Sequence, residues 1–142
     1  MIENLLHDYW NSQSVLRKLL APEQVLTGPL VTSTLANQPN QPMLPKLPCL
    51  IITVENGKTI FRTNKERPWE RTGLTLELRH ESLDAALELM RQVTVQLDRK
   101  NLSLPSGDGK ARIDFTAVLK NRYENGVWIV TRHIDVTTWG SA

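Results

Sequence analysis

Cysteine is almost absent from this chain. Cys49 is the single thiol among 142 residues, so no disulfide and no Cys-based metal site can form within one copy. A lone cysteine fits a reducing, cytoplasmic place of synthesis. Long apolar runs are also missing. The longest, Leu47–Val54, is strand-sized and well short of the ~20 residues that cross a bilayer as a helix. The segment Met1–Trp10 carries Glu3 and Asp8 instead of a basic start and an apolar stretch, so it does not read as a signal peptide. These features argue against a membrane partner. A strong charge bias is lacking as well. The formal net charge is +2, too small an excess to imply nucleic acid, whose binders concentrate Lys and Arg in a patch. Aromatic residues are only 6%, which leaves few rings for stacking on single-stranded bases.

What is present suffices for one domain with a real core. Hydrophobic residues are 40% and charged residues 23%, slightly below globular averages, as in a folded protein with long loops. Ile2, Leu5, Leu6 and Tyr9 follow the spacing of a helix face, and Asn11–Ser14 supplies cap-type residues before a second short helix ended by Pro22. Leu30–Leu35 reads as a strand. Asn37–Pro48 holds four prolines and reads as an extended loop. Leu50–Val54 predicts a strand apolar on both faces. Asn56-Gly57 and Asn125-Gly126 sit between β-rich runs, where this dipeptide favours a tight hairpin turn. The first therefore predicts a hairpin leading into Thr59-Ile60-Phe61. Leu74, Leu76 and Leu78 alternate with polar residues, as a half-buried strand does.

Ser82 predicts a helix N-cap, with Asp84 placed to suit the helix dipole. Leu83, Ala86, Leu87, Met90, Val93, Val95 and Leu97 then form a broad apolar face. Pro105–Gly109 reads as a loop. Ile113, Phe115, Ala117 and Leu119 alternate as one strand. Trp128, Val130, Ile134 and Val136 share a face interrupted by Arg132. The order predicts an α+β fold: a mixed, mostly antiparallel sheet, with one long amphipathic helix and a short helical N-terminus packed on it. Residues 1–142 read as a single domain. Its last strand pair, about Ala111 to Thr138, is long enough to project and need a partner to cover it.

Chemistry is hard to find in these residues. His7, His80 and His133 lie on different elements and lack metal-ligand spacing, so they read as surface histidines, with His80 making a local hydrogen bond. No Gly-x-Ser-x-Gly elbow occurs, and Cys49 beside Pro48 reads as an inert core thiol. The acidic residues are scattered singly. Ser106–Lys110 lacks phosphate-loop spacing and reads as a plain turn. No catalytic, cofactor-binding or metal-binding residue is proposed, and no cofactor. The most suggestive polar stretch is Lys58–Arg79, within which Arg62–Arg71 reads as a protruding loop or hairpin arm interrupted by Pro68. There Arg62, Lys65, Arg67, Trp69 and Arg71 form a candidate protein interface, since Arg and Trp are enriched among contact hot spots. Trp139 reads as a core plug at the end of the last strand.

The order of these pieces resembles the tail terminator, or tail completion, proteins of long-tailed bacteriophages. The resemblance is carried by the helical start Met1-Ile2-Glu3, the approach Leu47-Pro48-Cys49-Leu50-Ile51-Ile52, the strand Thr72–Arg79 running into Ser82–Ala86, and the closing hairpin Asn121–Trp128 before Arg132–Trp139. It implies a non-enzymatic virion protein, made in the host cytoplasm and carried at the head-proximal end of the tail. Its implied partners are five or so further copies in a homo-hexameric ring, the tail tube protein and a head connector or stopper protein. A head-completion or stopper protein is a close alternative, and a small nucleic-acid-binding α+β module a more distant one.

Overall fold

The computed structural model describes residues 2–28, 46–62, 68–103 and 109–140. The chain begins with helices α1 (Ile2–Ser12) and α2 (Ser14–Leu19), followed by a 3-10 turn at Pro22–Gln24. Strands β1 (Val25–Thr27), β2 (Cys49–Arg62) and β3 (Pro68–His80) precede helix α3 (Leu83–Leu97). Strands β4 (Asn101–Ser103), β5 (Gly109–Val118), β6 (Arg122–Glu124) and β7 (Val127–Gly140) complete the fold. Among the described residues the seven strands form one sheet, ordered β1-β2-β3-β7-β5-β4, with β6 also paired to β7. Among the described strands only β1 with β2 pairs in parallel; the other pairs are antiparallel. The predicted α+β class and mixed sheet are therefore found.

All three helices cover one face of the sheet. Leu5, Leu6, Trp10 and Leu16 of the N-terminal helices join Met90, Val93 and Leu97 of α3 over Leu50, Ile52, Leu74, Leu76, Leu78, Val130 and Ile134. Strand alternation makes this selection, because every second side chain points to the same side. Trp10 is buried and donates from Nε1 to Leu20 O at 2.9 Å, which ties α1 to the end of α2. Cys49, Ile51 and Ile129 are also buried, yet alternation puts them on the opposite face, so β2 is apolar on both sides as expected. Ser82 caps α3 by accepting from Ala85 N–H at 3.3 Å. Its own N–H donates to His80 Nδ1 at 3.0 Å.

Several expectations need correction. Asn56-Gly57 makes no hairpin turn, since β2 continues through it to Arg62 as one strand paired with β3. Val54 faces Leu74 and Lys58 faces Thr72, so three residues oppose Gly73 in a bulge. A long neighbouring strand outweighed the local turn preference, and the bulge absorbed the surplus residues. The reading of Leu30–Leu35 as a strand lies outside the described residues, as do most of Asn37–Pro48 and of Pro105–Gly109. β1 and β4 carry no alternation long enough to be read from sequence. In α3, Val95 is 59% exposed, because at 100° per residue it turns away from the stripe of Val93 and Leu97. Ala117 of β5 and Leu119 just beyond it are exposed. A register shift between Phe115 and Ala117 flips the alternation there.

Candidate interaction surfaces

The second sheet face carries most of the charge, and its groups satisfy one another. Glu77 Oε1 meets Arg79 Nη2 at 3.5 Å and Arg122 Nη2 at 3.3 Å. Arg122 Nη1 donates to Glu124 Oε1 at 3.1 Å, and Arg112 Nε to Asp114 Oδ1 at 3.1 Å. At the β2 bulge, Glu55 Oε1 accepts from Thr75 Oγ1 at 2.7 Å and pairs with His133 Nδ1. Glu55 reaches β7 by lying across β3 at Gly73, where a Cβ would come 3.1 Å from its Oε2.

This cluster brings a hydroxyl, a carboxylate and an imidazole together. Its wiring is not that of an activated nucleophile, which needs the base to hold the hydroxyl. Here Thr75 and His133 both give their hydrogen bond to the carboxylate. His7 bonds the carbonyl of Pro22 through Nε2 at 3.1 Å. All three histidines are half-buried and partnered, and His80 makes the expected local hydrogen bond. Among the described residues, no group of three His, Cys, Asp or Glu is placed to hold a metal ion.

The candidate interface residues fall at the far end of the β2–β3 pair. Arg62 closes β2 opposite Pro68, and Trp69 pairs in register with Phe61 and with Trp139 of β7. Arg71 is exposed, between Thr59 and Thr137 in register. Lys65 and Arg67 lie outside the described residues. Pro68 does not interrupt the arm: it opens β3, where an edge or first position tolerates its missing N–H. Trp139 is half-buried on the face away from the helices and outside the core cluster, so it is no core plug.

The opposite end of the sheet holds a surface that sequence reasoning missed. Val118 is 74% exposed, Tyr123 58% and Leu119 38%. Tyr123 packs against Trp128 with ring centroids 4.9 Å apart and planes at 54°. Beside them a groove of about 220 Å³ is lined by Thr94, Phe115, Thr116, Ala117, Val118 and Arg132. A second cleft, of about 340 Å³, lies between α1 and β4 along Leu5, Asp8, Tyr9 and Leu102. The one available signal was Arg132, a cation interrupting an otherwise apolar strand face. No helix of the described residues is long and apolar enough to cross a membrane.

No family model matches this chain. No curated protein matches it either. Among solved structures, the chain is similar to one from the "Virion of native gene transfer agent (GTA) particle", at 12% identity. The superposition has a TM-score of 0.65 and covers 97% of this chain and 94% of the other. At that identity the likeness establishes a common fold, spanning both chains nearly end to end.

Proposed function

We propose that this chain is a virion structural protein that acts by contact and transforms no substrate. In this reading copies close into a hexameric ring on the head-proximal end of a tail tube. The ring ends tube polymerisation and offers a docking surface to the head connector or stopper. The observation that carries the reading is the fold common to this chain and a chain of a gene transfer agent virion, over almost the full length of both. Two physical features support it. The β2–β3 and β5–β7 pairs are long, built from strands of 10 to 14 residues, and long ribbons of this kind call for a covering partner. The exposed side chains of Val118 and Tyr123 also leave apolar surface uncovered at the other end of the sheet. A ring of copies requires a heterologous interface whose rotation closes.

Light scattering and negative-stain imaging of the purified protein, alone and with tube protein, test this. The expected result is a closed ring of about six copies and tubes of fixed length. Three results overturn it: a protein that stays solitary beside its tube, turnover of a small molecule, or a monomer whose main activity is salt-dependent oligonucleotide binding.

A further inference from the structure

Arg132 has an unusual position among the sheet arginines. Arg79, Arg112 and Arg122 each face a carboxylate. Arg132 is half-buried on the helix side of β7, in register with Leu76 and Val118. Among the described residues its hydrogen bond is from Nη1 to the carbonyl of Thr131, at 2.9 Å. Burial holds its pKa below the ordinary arginine value, and no carboxylate of the described residues opposes that shift. Taking a cation partly out of water without a counter-charge costs free energy.

The surroundings indicate what could supply the missing charge. The groove beside Arg132 holds about 220 Å³, below the ~300–1,000 Å³ of small-molecule sites and suited to one or two side chains. Its wall is largely apolar, with Phe115, Ala117 and the exposed Val118 beside the two threonines. Leu119 N–H donates to Thr131 O at 3.2 Å, so strand alternation turns the N–H and C=O of Val118 outward.

The nearby acids are committed elsewhere. Asp98 Oδ1 accepts from Phe115 N–H at 3.0 Å, and Glu88 is bonded to Arg91 and Gln92. Residues 29–45 contain no Asp or Glu, so that stretch of the chain cannot provide the carboxylate. A single cation among aliphatic and aromatic side chains is also a poor match to a phosphate backbone, which calls for a set of cations.

We propose that this groove receives an extended segment of a different protein, whose Asp or Glu pairs with Arg132 while flanking apolar side chains cover Phe115 and Val118. The guanidinium fork suits a carboxylate bidentately, and the apolar rim excludes water from the pair. This deepens the assembly reading and rests on it in taking the occupant to be a protein.

Panning a random library of short displayed peptides on the folded protein tests the proposal, with Arg132→Gln, Arg132→Lys and Val118→Ser screened in parallel and checked by circular dichroism. Wild type is expected to enrich peptides with an acidic residue between apolar ones. Their affinity should fall by about tenfold or more with Arg132→Gln and less with Arg132→Lys. Enrichment of nothing, of sequences without acids, or of peptides bound equally by Arg132→Gln overturns it. Loss of a self-assembled ring in Arg132→Gln also overturns it, since the occupant is then another copy. A wild type that forms no ring yet selects acidic peptides removes the tail-cap reading and leaves the groove standing.

Discussion

Gly73 shows how much a single residue can decide in this sheet. Its missing side chain gives Glu55 a path across β3 to Thr75 and His133, so one glycine links two strands that do not pair. At the preceding residue, Thr72 is buried with no partner for Oγ1 among the described residues. An unsatisfied buried hydroxyl costs about 1–3 kcal/mol, so Thr72→Val should raise stability in urea unfolding by about 1 kcal/mol. Cys49 offers a pH test. Burial pushes its thiol above the ordinary value of 9.0, with Arg79 opposing and Glu77 adding to the rise. A raised folded pKa stabilises the fold below the unfolded pKa and loses that contribution as pH climbs past it. Stability should therefore decline above pH 9.0 more steeply in wild type than in Cys49→Ala. Iodoacetamide should modify the native thiol far more slowly than the unfolded one.

The two Asn-Gly pairs make the same point for whole elements. Asn125-Gly126 forms the predicted tight turn, with φ of 52° and 80° and with Glu124 facing Val127. Asn56-Gly57 became a bulge inside β2. The dipeptide permits a turn, but the partner strands determine whether one is made. Gly126→Val should cost about 1–2 kcal/mol, because a β-branched residue is strained at that φ. Ser82→Ala should cost about 1 kcal/mol by removing the cap of α3. Thermal unfolding measures both. Helix α3 was readable because its cap and its apolar stripe are local signals. β1 and β4 were not, since three residues each carry too little alternation and are held by neighbours distant in sequence.

For the whole molecule, one helix-covered face and one polar face leave two ends of the sheet to make contacts. The double change Trp69→Ala with Arg67→Glu should reduce ring formation in light scattering while the monomer stays within about 0.5 kcal/mol of wild type. If rings persist unchanged, the β2–β3 arm is not the interface. The surface at the other end came into view only in the fold. Val118 and Arg132 are far apart in sequence and stand together because β5 and β7 pair.

Taken alone, the order of apolar residues determined the α+β class, the capped amphipathic helix, the leucine strand Leu74–Leu78 and the closing hairpin. Each is set by periods of about two or 3.6 residues along the backbone. Strand partners, the two bulges and the exposure of Val95 and Val118 were decided by tertiary structure. Pairing energy belongs to two strands at once, and a one-residue shift of register sends every following side chain to the other face.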